Sequence, residues 1–342
     1  MRHLDIGTLF TAFIAAFVIL FSVSALAQTP HNIRLTFDND LLVPGSRDQD
    51  YTGGMSLAYG GKDVNELPLY LGALLNNTDK VFHRSQNVEN YYNVEVGLYG
   101  FTPEDTQQTL ANANDRPYAS LLYMASTHQR IDESQQVAWQ SVITIGVLGL
   151  DIFDRLQSEV HHATNSEQAQ SWHHQVSDGG EFTARYQLAK QSPLIKPSRC
   201  LQVNVGRHVS IGYLTEASVS VSARFGRIDS QWWSFRPEMA SYGEQRSGAL
   251  LNRNERYFFA GAAFKARAYN AFLQGQFRNS DTQYSSNDIN HALLEVWAGF
   301  SQSFKNGYQF SYVLRGHSSE LKHGNADRNV LWGGFVLSKN LG

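Results

Sequence analysis

The sequence predicts an all-β protein: a transmembrane, antiparallel, up-and-down β-barrel of about 12 strands, with one partly helical loop. Three observations predict this fold class. The N-terminus has the form of an export signal, apolar and polar residues alternate along about a dozen segments, and no later stretch approaches the roughly 20 apolar residues of a membrane helix. Composition agrees, since 17% of residues are charged, 12% are aromatic and the mean hydropathy is −0.34.

The first 27 residues form a predicted secretory signal peptide. Arg2 and His3 precede an apolar run from Leu9 to Val23, and Ala25-Leu26-Ala27 is a small-x-small cleavage site. The alternative is a retained membrane anchor. With the signal peptide removed, we expect residues 28–342 to form one barrel domain. This domain has a single cysteine, Cys200, which excludes an internal disulfide.

Alternation of apolar and polar residues marks the strands. Along residues 218–225 the sequence SVSVSARF places Val, Val, Ala and Phe on one face and Ser or Arg on the other. The predicted strands lie near 33–37, 53–60, 92–100, 118–129, 136–148, 181–189, 201–206, 218–225, 257–273, 294–301, 309–312 and 330–339. Several reach ten residues, as a tilted membrane strand requires, which favours a barrel over a soluble β-sandwich. Such a barrel turns its apolar residues to lipid and uncharged polar residues inward.

Two Asp-rich segments lie where the first two strands would meet at one rim. Asp38-Asn39-Asp40 ends the first strand, and Asp48-Gln49-Asp50-Tyr51-Thr52 opens the second. Oxygen ligands of this kind suit Ca²⁺ better than zinc or copper. Ordinary turn chemistry is the alternative interpretation, because Asp and Asn favour turns.

One long segment, Asp151–Gly180, breaks the alternation and concentrates histidines. His161-His162 and His173-His174 both fall in it, with Trp172 beside the second pair. A histidine can act as a general base near neutral pH, whereas the spacing matches no HExxH zinc motif. A solvated loop without chemistry remains the alternative.

Several function classes find no support in the sequence. The 28 Lys and Arg residues against 31 Asp and Glu give a net charge of −3, which argues against nucleic acid as a partner. No GxSxG elbow, P-loop or GxGxxG sequence is present.

The motifs occur in an order that resembles the lipid A 3′-O-deacylase family of Gram-negative outer membranes, over nearly the whole mature chain. The matching motifs are Phe37-Asp38-Asn39-Asp40, Asp50-Tyr51-Thr52-Gly53-Gly54, Asp115-Arg116-Pro117-Tyr118-Ala119, Gly146-Val147-Leu148-Gly149 and Leu156-Gln157-Ser158-Glu159-Val160-His161, with Trp172 eleven positions after that histidine.

The resemblance implies a calcium-dependent carboxylic ester hydrolase that removes the 3′-linked acyl (acyloxyacyl) group of lipid A. By the same resemblance His161 activates a water, Asn39, Asp40 and Thr52 complete the catalytic set, and Asp40 helps to hold Ca²⁺, which polarises the ester carbonyl. The implied location is the outer membrane, with lipopolysaccharide as substrate, outer-membrane lipids as surroundings and a monomer as the assembly.

Two alternatives to this function stay open at the level of sequence. One is hydrolysis of phospholipids or other acyl esters on the same barrel. The other is a non-catalytic porin or structural barrel in which the motifs serve only as turns.

Overall fold

The computed structural model describes residues 31–44, 50–75, 88–106, 114–155, 172–240, 242, 254–280 and 282–341. The predicted signal peptide and the segment that carries His161 lie outside these residues. Twelve strands form one closed barrel in which each strand pairs antiparallel with its neighbours in sequence, and the first strand pairs with the last. The predicted fold class is confirmed.

Every predicted segment corresponds to an observed strand, and most observed strands are longer. The strands are β1 (Asn32–Asn39), β2 (Asp50–Gly61), β3 (Glu89–Thr102), β4 (Ala119–Asp132), β5 (Val137–Leu148), β6 (Glu181–Pro193), β7 (Leu201–Gly212), β8 (Leu214–Arg227), β9 (Arg256–Asn270), β10 (Ala292–Ser303), β11 (Tyr308–His317) and β12 (Val330–Asn340). Only β9 ends earlier than predicted. There the Asn270 side chain accepts a hydrogen bond from the backbone N–H of Phe272 and caps a helical turn, Ala271–Gln274.

The two faces of the wall differ as the alternation predicts. On β9, Phe258 and Phe264 point outward and are 54% and 59% exposed, whereas Tyr257 and Phe259, on either side of Phe258, are buried in the barrel. Exposed apolar side chains of this kind are favourable only against lipid. No helix among the described residues combines the length and apolar character needed to cross a membrane.

The two ends of the barrel are distinct. At one end, called here the terminal end, the first and last strands meet and the Leu341 N–H donates to the His31 carbonyl at 2.8 Å. The opposite end, called the loop end, carries the connections that follow β1, β3, β5, β7, β9 and β11. The predicted site motifs that fall within the described residues lie at the loop end.

A segment from the terminal end, residues 228–242, folds back into the barrel. Side chains of β4, β7 and β6 donate hydrogen bonds to its backbone carbonyls, at 3.1, 3.2 and 2.9 Å for Gln129 to Trp233, Asn204 to Trp232 and Gln191 to Phe235. The segment reaches the other end of the lumen, where the Tyr242 hydroxyl lies 2.8 Å from Nε2 of His317. The lumen is therefore filled by the chain itself and is not lined as an open channel.

The interior contains many charged residues, which corrects the prediction of an uncharged polar lumen. Lys265 forms ion pairs with Glu216 and Glu295, and Glu295 also pairs with Arg315. Each of these side chains is at most 8% exposed. Buried charges persist only when they are paired, so adjacent strands supply opposite charges at the same depth.

Glu320, in the connection between β11 and β12, fastens the loop end to the barrel. Its carboxylate pairs with Arg116, which precedes β4, and with Arg267 of β9. Asn270 donates a further hydrogen bond at 3.0 Å. Burial alone raises the pKa of Glu320, but Arg116 and its other cationic neighbours lower it to about 2.

Glu320→Gln tests this connection. We expect a loss of about 3–5 kcal/mol in unfolding free energy at pH 7, because two arginines are left buried without their carboxylate. The pKa of Glu320 is lower in the folded state than in the unfolded state. The ion pairs of Glu320 therefore contribute fully to the free energy of unfolding above the unfolded-state pKa near 4.5, and this contribution is lost as the pH falls towards 2. Thermal unfolding in detergent, followed by circular dichroism at several pH values, measures both effects.

Glu104→Gln is the matched control, because the Glu104 side chain is 57% exposed and forms an exposed ion pair with Arg328, at 3.3 Å. Its effect should stay below about 1 kcal/mol. An equal loss in the two variants would contradict the role assigned to Glu320.

Candidate active site

Three polar side chains form a row across the loop ends of β1, β2 and β3. The side-chain amide of Asn39 donates to the Thr52 carbonyl at 2.6 Å, and the hydroxyls of Thr52 and Thr102 are 2.7 Å apart. Their neighbours Tyr51 and Phe101 point into the core, so alternation directs this polar row to the outer face of the wall.

A β-bulge in β2 sets the position of Thr52. The register between β2 and β3 shifts between Tyr51 and Gly53, which leaves Thr52 in the bulge. A Cβ atom at Gly53 would lie 2.8 Å from the Asp38 carbonyl oxygen, so glycine is required where β1 and β2 approach. Bulges commonly redirect a side chain beside a functional site, and here the bulge brings Thr52 to both Asn39 and Thr102.

Asn39 also begins the short 3₁₀ turn Asp40–Leu42. Its side-chain oxygen accepts from the Leu41 N–H at 2.7 Å, while its amide holds Thr52. Both ends of the side chain are thus engaged in fixing the chain where it leaves β1. Asp40 follows in the first turn and is 1% exposed.

An aromatic cluster covers the outer face of β3 next to the polar row. Trp172 packs on Tyr118 and Phe153, with ring centroids 4.9 and 5.3 Å apart, and Leu98 of β3 packs against the three rings. A Cβ atom at Gly100 would lie 2.8 Å from the Phe153 ring. Gly100 and Thr102 share one face of β3, so the cluster begins about 7 Å from the polar row.

The cluster holds both ends of the histidine-bearing segment. Phe153 precedes residues 156–171, and Trp172 follows them directly. His161 and His162 belong to that stretch, outside the described residues, so the role predicted for His161 stays a prediction. His173 and His174 are described: their ring centroids are 4.0 Å apart, and His173 is exposed.

Asp50 and Asp115, from two of the predicted motifs, are held by one arginine. Arg328, which precedes β12, donates to Asp50 at 2.8 and 3.0 Å and to Asp115 at 3.1 Å. Asp115 also accepts from the backbone N–H groups of Glu104 and Arg116. The Asp115 carboxylate is therefore engaged in contacts that hold the chain, and Asp50 pairs with a cation of the chain itself.

Calcium was predicted at Asp40, and the donor chemistry of this corner suits it. Asp40 supplies a buried carboxylate in the turn that follows β1, and carboxylate oxygens are ligands that Ca²⁺ takes. Within the described ranges no three His, Cys, Asp or Glu side chains form a metal-binding group. Asp40 is thus the carboxylate of this corner that could hold the cation, with other oxygen donors around it.

Sequence reasoning brought Asn39, Asp40 and Thr52 together correctly at one rim but missed several partners. Thr102 carried a weak signal, because it lies at the end of a predicted strand on the same face as Gly100. Arg328 carried none, since only the closure of the barrel brings residues 50, 115 and 328 together.

Comparisons with known proteins agree with the fold and give the family. The profile of a family described as "Outer membrane protein LpxR" matches residues 10–341. Among solved structures, LpxR from Salmonella typhimurium superposes with a TM-score of 0.69 at 15% identity, covering 90% of this chain and 99% of that one. The β domain of the Bordetella autotransporter BrkA gives a TM-score of only 0.41 at 9% identity, covering 91% and 98%. No curated protein matches the sequence.

Substitution of Asn39 tests the polar row. Asn39→Ala removes the cap on Leu41 and the bond to Thr52, so we expect a loss of about 1–2 kcal/mol in unfolding free energy. Asn39→Ser keeps a capping hydroxyl but cannot reach Thr52, and its loss should be intermediate. Thermal unfolding in detergent measures both. If serine proves as damaging as alanine, the capping role is refuted.

Proposed function

Because the chain belongs to the outer membrane protein LpxR family, we propose that it is an outer-membrane esterase that hydrolyses the 3′-linked acyl ester of lipid A. The family assignment covers residues 10–341, and the barrel superposes on an LpxR structure along 90% of its length.

One observation carries the proposal: the segment with His161 is anchored at both ends beside the polar row, on the lipid side of the wall. Phe153 and Trp172 sit on the outer face of β3, which also carries Thr102. A porin needs no polar row or covering segment on that face. An enzyme acting on a membrane lipid requires its polar groups there, because the substrate reaches the wall from the bilayer.

The proposed reaction is hydrolysis of an ester by water. His161 takes a proton from the water, whose oxygen then forms a bond to the carbonyl carbon. The bond between that carbon and the sugar oxygen breaks, and His161 returns the proton to the leaving sugar hydroxyl. Thr52, held by Thr102 at 2.7 Å, orients the water or the ester, and Asn39 fixes the end of β1 that carries Asp40.

Calcium completes this proposal. Held by Asp40, it would supply a Lewis acid that stabilises the negative charge developing on the carbonyl oxygen. Asp40 is buried within a short 3₁₀ turn whose first residue is fixed by Asn39, so its carboxylate occupies a defined position.

The alternatives differ in how well the structure supports them. Segment 228–242 fills the lumen of the barrel and bonds to four wall strands, which disfavours a porin. Hydrolysis of phospholipids would use the same groups. It is separated from lipid A hydrolysis by experiment.

His161→Ala tests the general base. We expect release of fatty acid from lipid A to fall by about 10²–10⁴-fold, because no other group is proposed to take the proton from water. Mass spectrometry of lipid A incubated with purified protein measures it, and heat-modifiable electrophoretic mobility verifies that the variant folds.

His173→Ala is the control, since His173 is exposed and its ring packs against His174 at a tilted angle. It should retain activity. Release from phosphatidylethanolamine but not from lipid A, in the wild type, would replace the proposed substrate with phospholipid.

Asp40→Asn tests the cation. The amide keeps the size of the side chain but removes its charge, so we expect the calcium concentration for half-maximal activity to rise about tenfold or more. Titration of chelator-treated protein with Ca²⁺ measures it. Asp38→Asn is the neighbouring control, because the Asp38 carboxylate points into the lumen against Gly334. Equal calcium curves for Asp40→Asn and wild type would exclude Asp40 as a ligand.

A further inference from the structure

A broad apolar groove crosses the outer wall of β3 to β7 near the loop end. Its volume is about 1140 Å³, more than pockets for drug-sized ligands usually enclose. The strands it crosses are spaced about 4.8 Å apart, so five of them give a length of about 19 Å. A slot of this length and apolar character suits an extended hydrocarbon chain.

Two in-register rows of outward side chains form the floor. The upper row pairs Leu98, Leu122, Val147 and Phe182 across β3 to β6, and the lower row pairs Val96, Met124, Ile145 and Ala184. The floor is therefore apolar throughout. Ala184 is its smallest side chain and leaves the most space.

One wall of the groove is built by a segment from a distant strand. Residues 275–277, after β9, cross to β6, where the Gln276 side chain donates to the Phe182 carbonyl at 2.9 Å. The Phe277 N–H donates to Glu181 at 2.8 Å. These bonds hold Phe182 and Phe277 at the groove, 85% and 86% exposed.

The β3 end of the groove, lined by Val96 and Gly97, lies next to Leu98 and so to the aromatic cluster beside the candidate active site. Leu98 begins the upper row and also packs against Tyr118, Phe153 and Trp172, the cluster that anchors the His161 segment. A chain lying along the upper row would therefore enter the site with its ester end first.

We infer that this groove binds the acyl chain of the ester that the enzyme cleaves, with Ala184 leaving room for the chain and the phenyl rings of Phe182 and Phe277 limiting its length. The inference rests on the proposed function, whose ester substrate it extends. The occupant is the acyl chain of lipid A, because the groove opens to the bilayer at the loop end and begins at the site proposed to act on that lipid.

Ala184→Trp tests the inference by filling the floor. Binding is measured on the His161→Ala background, where no turnover removes the ligand. Native mass spectrometry of delipidated protein in detergent, titrated with lipid A, gives the fraction bound. We expect about tenfold weaker retention of lipid A, because an indole overlaps the chain. Ala184→Leu should give an intermediate loss, and both variants must show heat-modifiable mobility.

Ala260→Trp is the matched control, since Ala260 is exposed on the outer face of β9, away from the groove. It should bind lipid A as the parent does. Equal retention by Ala184→Trp and the parent would overturn the inference. So would equal retention of dipalmitoyl phosphatidylethanolamine and lipid A, because the groove would then bind any bilayer lipid.

Hydrolysis of lipid A is measured separately, in the wild type and in Ala184→Trp protein that keeps His161. Loss of lipid A binding in Ala184→Trp without hydrolysis by the wild type would reject the proposed function but keep the groove as a lipid A site. Hydrolysis that is unaffected by Ala184→Trp would reject the groove but keep the enzyme.

Discussion

Closure of the sheet, through pairing of β1 with β12, is the constraint on which the rest of the structure depends. Inside a bilayer every backbone N–H and C=O must find a partner within the protein, and a closed barrel leaves no open edge. Closure gives the protein one face towards lipid and one towards the lumen. It also places β12 on the other side of β1 from β2, which lets Arg328 reach Asp50 across the end of β1. An insertion that broke the β1–β12 register would therefore disturb the site as well as the wall.

The polar row is unusual because it stands on the lipid face. Thr52 and Thr102 point outward yet are only 5% and 0% exposed. Polar groups exposed to hydrocarbon are costly, so these hydroxyls bond to one another and the loop end covers them. The bulge at Thr52 and the glycine at position 53 serve this arrangement, since a regular strand would not bring Asn39 to Thr52. The local irregularity of β2 is thus explained by the site.

The fold could be predicted from the sequence because alternation has a period of two whatever the partner strand is. The same local logic placed Asn39, Asp40 and Thr52 at one rim. It could not supply Thr102 or Arg328, whose contacts depend on strand register and on closure. It also predicted an uncharged lumen. Lys265, Glu295 and Arg315 look like solvent-facing residues in sequence, and only the register shows that they pair with one another inside the barrel.

The filled lumen and the fastened loop end have a common physical consequence: the rim that carries the site is held from both sides. On the lumen side, Tyr242 packs on Tyr51 with ring centroids 5.3 Å apart, directly behind Thr52. At the loop end, Glu320 and Arg328 tie the connection between β11 and β12 to Arg116, which precedes β4, and to Asp50, which opens β2. Catalysis by positioned groups loses rate steeply when those groups shift by about 1 Å. The segment that fills the lumen adds rigidity to the barrel, and that rigidity is transmitted to the bulge where Thr52 meets the lipid side.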